Sequence, residues 1–195
     1  FGVSITVNDV APLALSYNSP NVFTVGSPIA DLVPSFSGNV TSFSITPSLP
    51  SGLSFDTATG VISGTPTLVS STSIYTVTAL NSGGSTSFGV SITVNDVAPS
   101  ALSYNSPNVF TVGSSIVNLV PSFTGNVSSF SIAPALPSGL SFDTTTGIIS
   151  GTPNVVSSTS IYTVTALNSG GSTSFGVSIT VNDVAPSALA YASPN

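Results

Sequence analysis

Phe88, Val90, Ile92 and Val94 alternate with Gly89, Ser91, Thr93 and Asn95. A period of two puts apolar side chains on one face of a strand and polar ones on the other, so this run predicts a half-buried β-strand. Just upstream, Tyr75, Val77 and Ala79 alternate in the same way with Thr76 and Thr78. Between the two runs stands Asn81-Ser82-Gly83-Gly84, whose residue types accept positive φ. The pattern predicts an antiparallel hairpin.

Shorter apolar runs precede it at Val22 to Val25, Leu32 to Phe36, Ser42 to Ile45, Leu53 to Phe55 and Val61 to Ser63, separated by Gly-Asn, Pro-Ser-Gly and Thr-Gly turn signals. Pro47, Pro50 and Pro66 stand where a central strand could not accept them, and so mark loops or edges. No stretch shows a helical period. Seven short strands at turn spacings of about ten residues predict an all-β, antiparallel sandwich of Ig-like or cadherin-like topology.

The pattern repeats. Phe-Gly-Val-Ser-Ile-Thr-Val-Asn-Asp-Val-Ala-Pro begins at Phe1, Phe88 and Phe175, an offset of 87 residues each time. This is the size of a small independent sandwich domain and too long for a solenoid unit. Residues 1–12 read as the last strand and linker of a preceding repeat, 13–99 and 100–186 as complete repeats, and 187–195 as the start of another. Aligned from Ala14 to Ser100 against Ala101 to Ser187, the repeats differ at 11 positions, all between Pro28/Ser115 and Leu68/Val155. Identical junctions predict a constant rotation from unit to unit, hence a linear rod or superhelix. Each unit is expected to advance it by roughly 40 Å, the length of a strand of about twelve residues.

Composition narrows the function. The chain has no Lys, Arg, His or Cys, and its only acids are six Asp, for a net charge of −6. A Ser or Thr nucleophile needs a neighbouring base, and zinc needs His or Cys. Two or three Asp per repeat leave little for carboxylate chemistry, and Asp31 becomes Asn118 in the second copy. The reading is non-enzymatic. A chain without cations cannot neutralise phosphates, which excludes nucleic acid and anionic membrane surfaces as direct partners. Mean hydropathy is +0.53, yet the apolar residues come in short runs broken by Ser, Asn, Pro and Gly rather than in the twenty or so that insert into a membrane.

Leu49-Pro50-Ser51-Gly52-Leu53-Ser54-Phe55-Asp56, Thr59-Gly60-Val61-Ile62-Ser63-Gly64-Thr65-Pro66 and Tyr75-Thr76-Val77-Thr78-Ala79, with their counterparts from Leu136 to Gly171, closely resemble the He_PIG repeats of large bacterial surface proteins. The resemblance covers both complete repeats. It implies an Ig-like sandwich in long, secreted adhesins or surface filaments. It names no ligand.

Val94-Asn95-Asp96-Val97-Ala98-Pro99 is similar to the cadherin linker that holds calcium between domains. Asn95, Asp96 and Asp183 are therefore the candidate Ca2+ ligands. Calcium takes six to eight oxygens, several of them carboxylate, and the chain is poor in these, so the preferred reading is a turn capped by Asp and stiffened by Pro99 and Pro186. Asp56-Thr57-Ala58 and Asp143-Thr144-Thr145 match a bacterial O-glycosylation pattern, with Thr57 and Thr144 as acceptors; the same Asp residues suit a hairpin turn. Asn39 and Asn126 stand in N-glycosylation sequons. Tyr17, Tyr104 and Tyr191 are candidates for stacking on sugars, or for packing a domain junction with the hydroxyl in water.

Soluble sheets usually guard their edges with charge, which this chain lacks. Pro, glycans or lateral packing against copies of itself are the remaining means. The resulting expectation is an extracellular, cell-surface spacer that projects or assembles an adhesive appendage, with copies of itself as partners. The alternative is a module that itself binds a carbohydrate or host protein.

Overall fold

The two alternating runs become the longest strands of the fold. In the computed structural model, which describes residues 1–7 and 9–187, β7 (Ser70–Asn81) and β8 (Gly84–Asn95) are twelve residues each and pair antiparallel across a Ser82–Gly83 turn. The shorter strands are β1 (Leu13–Ser16), β2 (Asn21–Thr24), β3 (Ser35–Ser37), β4 (Ser42–Thr46), β5 (Leu53–Phe55) and β6 (Ile62–Gly64). One layer is the four-stranded sheet β2-β8-β7-β4. The other holds the pairs β1-β3 and β5-β6, with a bridge between Leu32 and Ile62.

Three features differ from the sequence reading. Each unit has eight strands rather than seven, because β1 precedes β2 and packs in the opposite layer. No alternation marks β1, since Ala14 adopts φ 56° and the pairing register shifts between Leu13 and Ser16. Second, β2 runs parallel to β8. The chain passes from one layer to the other between the end of β1 at Ser16 and the start of β2 at Asn21. Third, the run from Leu32 to Phe36 is not one strand: Leu32 makes an isolated bridge, and Pro34, which has no N–H to donate, separates it from β3.

The chain divides into two compact units, Phe1–Asp96 and Val97–Asn195. The second repeats the same order with β9 (Ser100–Ser103), β10 (Asn108–Thr111), β11 (Ser122–Thr124), β12 (Ser129–Ala133), β13 (Leu140–Phe142), β14 (Ile149–Gly151), β15 (Ser157–Asn168) and β16 (Gly171–Asn182). The residues that would open a following repeat lie almost wholly outside the described residues. Among the described residues there is no helix.

The inward faces make the core. Val77, Ala79, Val90, Ile92 and Val94 are fully buried, joined by Leu15, Leu32, Phe43, Ile62 and Tyr75; the second unit buries the same set. Burying each large aliphatic side chain contributes about 1.5–3 kcal/mol. None of the 11 differences between the repeats falls on a buried residue; ten are exposed and one, Val61/Ile148, is half-buried. Drift has been confined to the surface, so the core was held while the loops varied. Edges are managed without Lys: β2 and β4 are only four and five residues long, and Pro20 precedes one while Pro47 follows the other.

Candidate functional site

The second half of the repeated phrase is clipped to a hairpin turn. Asn81, at the end of β7, is buried, and its amide makes four bonds. Its Nδ2 donates to the carbonyls of Val10 (2.6 Å) and Asn39 (2.9 Å). Its Oδ1 accepts the Gly83 and Gly84 N–H groups at 2.8 and 3.2 Å. That uses both donors and both lone pairs of the amide. The Asp9 N–H donates to the Ser82 hydroxyl at 3.0 Å. Gly83 is required by this approach, because a Cβ there would lie 1.8 Å from the Asp9 carbonyl oxygen.

The second unit uses the same clip. Asn168 Nδ2 donates to Val97 O at 2.6 Å and to Asn126 O at 2.9 Å, and its Oδ1 accepts the Gly170 N–H. Thus Val-Ala-Pro is bound by the body that follows it, while Phe88 to Asn95 closes the body before it. From sequence, Asn81 and Asn168 read only as turn residues. An Asn directly ahead of Ser-Gly-Gly, kept at both copies, was the available signal.

The candidate calcium ligands fall at two separate junctions, Asn95 and Asp96 at one and Asp183 at the other. Asn95 ends β8, where its carbonyl accepts the Val25 N–H. Asp96 closes the first unit and Asp183 belongs to the second. The Asp183 Oδ1 accepts the Val184 N–H at 2.8 Å. In the first phrase, the Asp9 carboxylate accepts the N–H of Val10 and the Asn39 amide. Among the described residues no three acidic, His or Cys side chains gather as metal ligands. One carboxylate per phrase does not fit an ion that takes six to eight oxygens.

Asp56 and Asp143 sit in the β5-β6 and β13-β14 turns. The Ala58 N–H, followed by the Thr59 hydroxyl and N–H, holds the Asp56 carboxyl below the usual carboxylate range; the N–H groups of Thr145 and Thr146 do the same for Asp143. Each aspartate is a turn former. Thr57 and Thr144 are exposed beside them, and their carbonyls accept the N–H groups of Phe43 and Phe130, which pins the backbone.

Tyr17 and Tyr104 do not place their hydroxyls in water, as the junction-packing reading expected. Both rings are buried, and their hydroxyls donate to the carbonyls of Gly60 and Gly147 at 2.6 Å. Burial pushes both hydroxyls up to about 12. A ring inside the core cannot stack on a sugar. Tyr191 lies outside the described residues. Asn39 and Asn126 are exposed, and both lend their carbonyls to the clip.

In the second unit an open groove of about 600 Å3 runs between β10 and the segment from Ser114 to Val120. It is lined by Asn, Ser, Thr and aliphatic residues together with Phe110, and the buried Asn108 amide already donates to Asn105 O. Three differences between the repeats fall here: Pro28/Ser115, Ala30/Val117 and Asp31/Asn118.

Residues 3–95 and 91–182 each match the family described as "Putative Ig domain". A curated relative, the "Serine-rich adhesin for platelets" of Staphylococcus aureus (strain MRSA252), is 32% identical over 145 residues, which is 71% of this chain and 11% of that adhesin. In strain USA300 the adhesin of the same name is also 32% identical, and the match spans 6% of it. Among solved structures, extracellular domains 3-5 of Drosophila OTK superpose with a TM-score of 0.53 at 17% identity, covering 87% of this chain and 62% of that one. The N-terminal eight Ig domains of DSCAM give 0.53 at 16% identity, covering 89% and 25%. At such identities the structural likeness concerns the fold alone.

Proposed function

Since the chain belongs to the He_PIG family of Ig domains, in two tandem copies, we propose that it is a spacer segment of a long extracellular surface protein that presents or assembles an adhesive appendage. The domains themselves are non-enzymatic: they are Ig-like modules related to adhesins, and they carry no base to activate a hydroxyl. The matched adhesins are many times longer than this chain, and in this reading the binding target belongs to other parts of the array.

The observation that carries this reading is the division of labour in the repeated phrase. Its first half completes one domain, and its second half is bound by the next through Asn81 or Asn168. A single residue, Asp96, separates the last residue of β8 from the bound Val97. The same short connector recurs wherever the phrase does, as a repeated spacer requires. The candidates for ligand recognition favour a spacer too, because the tyrosines and turn aspartates are committed to internal bonds. Exposed Thr57 and Thr144 are available as glycan acceptors, and intact mass of native material tests for that.

The rival, a domain that binds carbohydrate by itself, is tested by a glycan array probed with the 195-residue chain. We expect no glycan to be retained. Saturable retention that disappears when the groove along Val117 is filled by a Val117→Trp substitution would replace the spacer reading with a binding module.

A further inference from the structure

We infer that the outer face of the four-stranded sheet is the surface through which two copies of this array pack side by side. The inference rests on the spacer reading above and adds the face to it. On this face Thr76, Thr78 and Ser87 form a hydroxyl field, with Ile74 and Leu80 standing out of it at 66% and 48% exposure. Thr78 and Ser87 bond each other across the strands at 2.8 Å, as do Thr165 and Ser174 in the second unit. Hydroxyls that already hold a partner lose less when water is removed.

Charge points to a second copy as the occupant. A chain of net charge −6 without a single cation repels its own kind. None of its six carboxylates lies on β2, β4, β7 or β8, or on their counterparts β10, β12, β15 and β16. The short strands of the opposite layer carry none either, so breadth singles out this sheet: it is the larger uncharged face on which two copies meet without opposing charge. A basic or acidic partner would find nothing there to pair with.

The repeats supply a second argument. Exposed positions drift elsewhere in the fold, yet only one of the 11 differences, Thr46/Ala133, lies on this sheet. Area supplies a third. Two strands of about 40 Å and two short ones, spaced about 4.8 Å apart, present roughly 500 Å2 per unit. A stable interface needs about 800 Å2 from each partner. The face of one unit falls short of that, so the association expected through it is weak.

The test is sedimentation equilibrium of the 195-residue chain up to about 1 mM, the range of weak association. Ser87→Lys with Ser174→Lys places a charge on this face in both units. Ser54→Lys with Ser141→Lys places the same charge on exposed strands of the opposite layer, and thermal melts check that both variants fold. We expect the native chain to self-associate, the first variant to weaken association at least about tenfold, and the second to leave it unchanged. Equal weakening in both variants, or in neither, would overturn the assignment of the face while leaving lateral assembly standing. A native chain that stays monomeric throughout would overturn lateral assembly itself, and this face with it.

Discussion

The twelve residues beginning at Phe88 and the identical twelve beginning at Phe1 adopt different structures in their first halves and the same one in their second. Val90, Ile92 and Val94 are fully buried in β8, whereas Val3, Ile5 and Val7 are 84%, 82% and 88% exposed and form no strand. The difference is the partner. β8 lies between β7 and β2, and residues 1–7 lie along neither. Alternation states which side chains share a face; neighbours decide whether that face is covered. In the second halves, by contrast, Val10 and Val97 are held by the same Asn bond of 2.6 Å, and Pro12 and Pro99 are both buried.

Truncating the same residue in each setting should have very different consequences. Ile92→Ala or Ile179→Ala removes a fully buried side chain from the centre of a core and is expected to cost its unit about 3–4 kcal/mol. Ile5→Ala, at the corresponding place in an uncovered copy, is expected to change stability by less than about 0.5 kcal/mol. Urea unfolding of the three variants measures both. If Ile5→Ala costs as much as Ile92→Ala, the first copy is covered in solution and the contrast is void.

The next effect concerns the half that does not change. Asn81→Ala leaves the carbonyls of Val10 and Asn39 and two glycine N–H groups without their partner, at an expected cost of about 2–3 kcal/mol. Hydrogen exchange separates this from a general loss of stability: the Asp9 N–H, bonded to Ser82 in the same turn, should exchange faster than the β7-β8 amides. Protection at Asp9 that survives the substitution would show that the clip does not depend on Asn81. Asn168→Ala should reproduce the effect in the second unit.

Much of this was legible in the residues. The long hairpin, its Asn-Ser-Gly-Gly turn, the Pro-marked edges and the repeat all follow from period and turn chemistry, because each depends on contacts close in sequence. β1 and the parallel pairing of β2 depend on which layer the chain enters after Pro20, a long-range choice that four-residue strands do not record. The Asn ahead of Ser-Gly-Gly marked a turn, but its partner did not show for the same reason: Asn81 and Val10 are 71 residues apart. The tyrosines misled in another way. A Tyr beside Asn-Ser-Pro looks like a rim residue, and only the Gly60 carbonyl across the sandwich reveals that its hydroxyl is inside.

Those tyrosines give the third prediction, which reaches the phrase through its first residue. The Tyr17 ring packs against Phe88 with centroids 6.3 Å apart, as Tyr104 packs against Phe175, while Phe1 is wholly exposed. Tyr17→Phe keeps the ring and removes the bond to Gly60, for an expected loss of about 1 kcal/mol. Burial raises the folded-state value above the unfolded one, from 10.0 to about 12, so ionisation favours the unfolded chain. The stability these hydroxyls contribute is whole below pH 10 and is lost as pH rises toward 12. Melting temperature should be flat up to about pH 9 and then fall. The double variant Tyr17→Phe, Tyr104→Phe should fall less steeply, and an unchanged slope would place the alkaline transition elsewhere.

The smallest expected effect is that of calcium, and it tests whether the phrase is a metal joint or a hydrogen-bonded one. Asp9, Asp96 and Asp183 occupy one position of the phrase and bring one carboxylate each. At Asp9 that carboxylate already accepts from Asn39 at 3.2 Å and from the Val10 N–H at 2.9 Å, so an ion would have to displace protein donors and still find its remaining oxygens in water. A site of that kind contributes little, because stabilisation by a ligand grows only as its concentration exceeds the dissociation constant. Melts in about 1 mM calcium, the weak end of extracellular sites, and in chelator should superimpose for the native chain and for Asp96→Asn. A rise with calcium that Asp96→Asn abolishes would make the joint a metal site and leave the Asn clip a secondary support.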